Sequence, residues 1–147
     1  MASTKTYIVE HLDPELGTWS EFEYLAIARE SQENGARFFL SSLPAEFKVP
    51  EALSTIPAFT AETRGVEELY ASDKSRVCLL DPAAASDLSP EDGDRFDVFL
   101  FGGILGAFRW EELVSRANYP QETIPRGTGR LSCGRRASRA AGSARFR

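Results

Sequence analysis

Histidine, methionine and cysteine are scarce in this chain: one, one and two among 147 residues. A lone imidazole with no second histidine or cysteine at ligand spacing supplies no zinc-site pattern, so no metal is expected. Two cysteines build no disulfide framework. Cys78 lies in an apolar run and Cys133 among arginines, which points to a reducing compartment and a cytoplasmic location. Long apolar runs are lacking too. The opening MASTKTYIVEHL meets Glu10 too early for a secretory signal, and no stretch reaches membrane-crossing length, so no membrane partner is expected. Acid is absent beyond Glu122. Residues 1–122 hold all 22 Asp+Glu against 10 Lys+Arg, a net of −12, while 123–147 hold 7 Arg and no acid, a net of +7. The total of −5 therefore averages two unlike segments, and the acidic one argues against nucleic-acid binding by charge alone.

What is present, up to Gly106, is the material of one domain. With 42% apolar and 11% aromatic residues the chain is able to bury a core. Tyr7–Leu12 reads as a first strand. Thr18 with Glu21 has capping-box spacing and opens a helix whose apolar face is expected to be Trp19, Phe22, Ala26 and the Leu25/Ile27 flank. Asn34-Gly35 ends that helix. RFFLSSL (37–43) is a second strand, and Val49–Ile56 a short helix with Pro50 in its first turn. A short strand at 59–61 and a helix around 66–70 follow. RVCLL (76–80) and DVFLF (97–101) are continuous apolar runs, the mark of strands covered on both faces. Between them Ser89-Pro90-Glu91-Asp92 signals a helix start with a capping serine. The alternation predicts an α/β fold, a mostly parallel Rossmann-like sheet of four or five strands before Gly106 with flanking helices.

Candidate site residues gather at strand ends. Gly102, Gly103, Ile104, Leu105 and Gly106 follow an apolar strand, where an open α/β sheet binds ligands and where glycine lets the backbone approach them closely. Taken by itself a GGxxG turn is also a plain structural turn, and it is not the GxGxxG dinucleotide fingerprint. Asp81, before Pro82, ends another strand and suits either a ligand's hydroxyl or amine or a tight turn; Asp87 reads as a cap. Glu10 and His11 end the first strand. Ser41 and Ser42 lack the setting of a catalytic serine.

YIVEHL, FFLSSLP, RVCLLDP and DLSPEDGDRFDVFLFGGILG, in that order over residues 5–106, resemble the SPOUT-class, trefoil-knot methyltransferases. The resemblance is to the eukaryotic members that methylate an arginine of a ribosomal protein. It implies a SPOUT fold and S-adenosylmethionine as cofactor, with Gly102–Gly106 forming one wall of its site. It also implies Glu10 as a candidate catalytic group, and His11 and Asp81 on the substrate side. RNA is the alternative substrate, since many SPOUT relatives methylate RNA.

Two further cofactor segments of that family, DPPRDRT and RxLGxxQMTTDTA, are not present in this chain. The codons for residues 122–147 can be chosen so that the same bases, read from the third nucleotide, spell DDPPRDRTAELRQAGFEGRRLGPVQM. The codons for 106–121 permit a splice donor, a branch-point-like string and an acceptor, and their removal joins GGILG to that segment. The expected organisation is therefore a truncated SPOUT-like domain at 1–106 and a basic, disordered tail at 107–147, intron-encoded to 121 and out of frame beyond. Without the knot the chain is expected to be inactive and to bind cofactor weakly, and its DVFLF strand is expected to want a neighbour.

Overall fold

The computed structural model describes residues 4–80, 85–102 and 121–122. In chain order they form β1 (Thr6–Glu10), α1 (Thr18–Glu33), β2 (Arg37–Ser41), α2 (Glu51–Ser54), β3 (Phe59–Ala61), α3 (Val66–Leu69), β4 (Val77–Leu80), α4 (Asp92–Arg95), β5 (Val98–Gly102) and β6 (Gln121–Glu122). All six strands run parallel in the order β3-β2-β1-β5-β4-β6.

The central strands are apolar throughout because both sheet faces are covered. Tyr7, Val9, Phe38, Leu40, Cys78, Leu80, Phe99 and Phe101 point to one face, where Tyr24, Ile27 and Ala28 of α1 pack on them. Ile8, Val77, Leu79, Val98 and Leu100 point to the other, with Val66 of α3. At the amino edge of the sheet Lys5 donates to the Gly93 and Phe96 carbonyls, and Arg76 grips Asp97 through two nitrogens.

The C-terminus of α1 follows the glycine signal. Gly35 has φ 65°, its N–H reaches the Gln32 carbonyl at 3.3 Å, and the Ala36 N–H reaches that of Ser31 at 2.9 Å, a Schellman closure. The N-terminus differs from expectation. Gly17 occupies the cap position, no side chain caps the helix, and the Glu21 N–H already bonds the Gly17 carbonyl, so Thr18 lies inside the first turn. The buried face also differs: it is Ser20, Tyr24, Ile27, Ala28 and Ser31, while Trp19, Phe22 and Ala26 are exposed. Tertiary contacts select that face, because Tyr24 meets the Phe38 ring and bonds His11.

Smaller differences have local causes. Pro50 precedes α2 in extended backbone rather than entering its first turn. Ser89 does not cap α4. Its N–H and hydroxyl both donate to the buried Asp92 carboxylate, a turn intervenes, and the helix begins at Asp92. β5 does not want a neighbour: it lies between β1 and β4, paired to both. Residues 107–120 and 123–147 of the expected tail lie outside the described residues. Gln121 and Glu122 are not irregular, because they add a parallel strand to the open edge of β4 opposite Leu79 and Leu80.

Candidate functional site

The strand order reverses at one place. From β1 the chain runs outward through β2 to β3, whereas after β5 it reappears at β6, on the far side of β4. Connections that leave two adjacent parallel strands in opposite directions open a crevice at their carboxyl ends. Here that crevice lies between Glu10 and Gly102, which are register partners. Gly102 opens the glycine-rich stretch. Gly103, Ile104, Leu105 and Gly106 lie outside the described residues, as does Asp81, which follows Leu80 at the end of β4.

Glu10 is only 1% exposed. Its carboxylate accepts from the Ser41 hydroxyl (2.9 Å), the Ser42 hydroxyl (2.5 Å) and the Val66 backbone N–H (2.6 Å). Three donors from β2, the turn after it and the start of α3 thus converge on a side chain of β1. They occupy most of a carboxylate's roughly four acceptor positions. Ser42 holds φ 58°, a left-handed conformation unusual for a residue other than glycine. The Ser42 N–H bonds the Arg64 carbonyl, the Leu43 N–H bonds that of Glu62, and a Cβ on Gly65 would lie 3.4 Å from the Ser42 hydroxyl. The chain after β2 therefore lies tightly against the loop before α3.

His11, 2% exposed, faces inward. Its Nε2 lies 3.1 Å from the Glu15 carbonyl and must donate to it, which leaves Nδ1 to accept from the Tyr24 hydroxyl at 2.9 Å. The imidazole is therefore the neutral tautomer, edge-on to Tyr24 and Phe47. Burial lowers its pKa, against smaller raising effects of the Glu15 carbonyl and Asp13. The Tyr24 hydroxyl is pushed up to about 12, by burial first and Asp13 second. With both ring nitrogens engaged inside the protein, His11 ties the 12–17 loop to α1.

The structure thus brings Glu10, Ser41, Ser42, Gly102 and the start of α3 to one corner, with His11 behind it. Ser41, Ser42 and Val66 are the members that sequence reasoning missed as partners of Glu10. The available signal was a pair of hydroxyls at the end of an apolar strand; the Val66 contribution is a backbone N–H and carries no signal. Among the described residues no group of three or more His, Cys, Asp or Glu is placed to hold a metal ion, and no helix is long and apolar enough to cross a membrane.

Comparison with known proteins agrees with this architecture. The chain is 39% identical over 137 residues to the protein arginine N-methyltransferase SFM1 of Saccharomyces cerevisiae, covering 84% of this chain and 62% of that protein. The crystal structure of yeast SFM1 complexed with SAM superposes with a TM-score of 0.72 at 30% identity, over 92% of this chain and 67% of that one. Full-length spTrm10 in complex with SAH, at 13% identity and a TM-score of 0.60 over 83% of this chain and 75% of that one, shares the fold alone. The fold is thus the parallel α/β sheet of the SPOUT methyltransferases. Residues 6–115 match the SFM1-like protein arginine N-methyltransferases, and this chain belongs to that family.

Proposed function

We propose that this chain carries the first part of an S-adenosylmethionine-dependent protein arginine N-methyltransferase that acts in the cytosol on an arginine of a ribosomal protein. The crevice between Glu10 and Gly102 is one wall of its cofactor site. The observation that carries the reading is the reversal of strand order at that register pair, in a member of this family. The residues present fit such a ligand, because β5 ends there in a glycine, which leaves backbone approachable where its neighbour β1 ends.

S-adenosylmethionine supplies a methyl group on a sulfonium sulfur. The chain's own residues hold the geometry that transfer needs. Gly102 opens the ligand's side of the wall. Glu10 braces that wall from within by gathering Ser41, Ser42 and Val66. The net charge of −12 on residues 1–122 attracts a guanidinium and repels RNA. His11 anchors the loop that leads from β1 into α1.

The test is calorimetric titration with S-adenosylmethionine, together with methyl transfer to ribosomal subunits. It compares this chain with a form in which Gly106 continues into DDPPRDRT and the remaining family segments. The continued form is expected to bind and transfer, and Gly102→Val in it to lose at least about tenfold in affinity. This chain is expected to bind more weakly by a similar factor or more. Failure of the continued form to bind, or indifference to Gly102→Val, overturns the assignment of the wall.

A further inference from the structure

α1 buries one face and leaves an unusual one outside. Trp19 and Phe22 are 69% and 66% exposed, and they are the large apolar side chains so exposed among the described residues. They stand three positions apart in the first turns of the helix and so are neighbours on its surface. Exposed aromatic pairs of this kind on a helix surface mark contact surfaces. Their surroundings are acidic. From Asp13 to Glu33 there are six carboxylates and one arginine, and Glu23 lies one turn from Trp19. Seven residues separate the end of β1 from the start of α1, at the carboxyl edge of the sheet where the crevice opens.

We propose that this face of α1 is a docking surface for an arginine-rich segment of a basic protein. Of the common side chains, arginine best matches both halves of the surface. Its planar guanidinium stacks on an aromatic face and forks onto a carboxylate, whereas lysine offers a compact, strongly hydrated charge. The molecule shows the stacking half internally, with the Arg95 guanidinium 4.9 Å above the Phe96 ring. A segment bound along α1 would present a neighbouring arginine to the crevice. This deepens the methyltransferase reading and rests on it for the identity of the partner as substrate.

The test measures fluorescence anisotropy of a labelled arginine-rich peptide against the full chain, with a lysine-for-arginine peptide and an RNA oligonucleotide in parallel. Trp19→Ala and Phe22→Ala are each expected to weaken arginine-peptide binding about tenfold, as central aromatic contacts do. Phe22→Lys is expected to weaken it more. Asp94→Asn, an exposed charge on α4 at the opposite edge of the sheet, is expected to leave it unchanged, and the lysine peptide to bind about threefold or more weakly. Circular dichroism and melting temperature are expected to match the parent chain, since both aromatic side chains are exposed. The proposal is overturned by absence of binding to the parent chain, equal binding by the aromatic variants, parity of the lysine peptide, or RNA binding that the same substitutions abolish. A parallel S-adenosylmethionine titration of the form in which Gly106 continues into DDPPRDRT separates the two readings, because absence of cofactor binding there sinks the wall and leaves the peptide result standing.

Discussion

Glu10 was legible as a strand-end carboxylate, but its surroundings were not. Three donors from three elements meet it at 1% exposure. Removing it leaves two hydroxyls and a backbone N–H without their acceptor in a buried corner, so Glu10→Ala is expected to cost about 2–4 kcal/mol of stability. Urea titration would show this as a lowered midpoint. An unchanged midpoint would mean that the carboxylate does not brace the corner. His11 behaves differently with pH. Its pKa is lowered in the folded chain, so the unfolded chain takes up a proton first as acidity rises. The stability it contributes is complete above the unfolded value of about 6.5 and is lost as pH falls from there toward the folded pKa. Melting temperatures taken between neutral and mildly acidic pH are expected to fall more steeply for the parent chain than for His11→Gln, and equal slopes would contradict the buried neutral imidazole.

At the scale of elements, local chemistry decided ends better than faces. Asn34-Gly35 closes α1 because a backbone turn at φ 65° suits glycine whatever surrounds it. A Cβ added at Gly35 would touch nothing within 4 Å. Gly35→Ala is therefore expected to cost about 1 kcal/mol from conformation alone, read as a drop of a few degrees in melting temperature. No measurable change would mean that the turn relaxes. Thr18 and Glu21 have capping-box spacing, yet the cap position falls one residue earlier, at Gly17, and the helix itself starts at Thr18. Its face follows tertiary contacts rather than apolarity: Trp19 and Phe22 are more apolar than Ser20 and Ser31, yet it is the serines that are buried.

For the whole molecule, the position of β5 between β1 and β4 sets Gly102 beside Glu10 at the carboxyl edge of the sheet. It also settles how the apolar DVFLF run is covered, since both of its edges are paired. The chain spans 62% of the length of the yeast protein it matches. The reading-frame expectation makes a prediction at this scale: transcripts sequenced across the Gly106 codon are expected to include a form that joins it directly to DDPPRDRT. Transcripts that carry only the continuous coding sequence for 107–121 would sink that expectation. The proposed docking of an arginine-rich segment on α1 likewise depends on where the helix stands relative to the crevice.

The residues alone determined that the fold is a parallel α/β sheet, because continuous apolar runs separated by helix signals admit few other arrangements. They also carried the resemblance to the family whose model matches residues 6–115. The order of the strands was not readable, because every buried parallel strand looks alike in composition and register is set between chain segments far apart. Only the tertiary structure decided that Glu10 and Gly102 are partners across the switch in strand order, that two serines and a backbone N–H hold the carboxylate, and that Trp19 and Phe22 face outward. Each of these depends on which segments meet across the sheet, and a linear pattern does not record that.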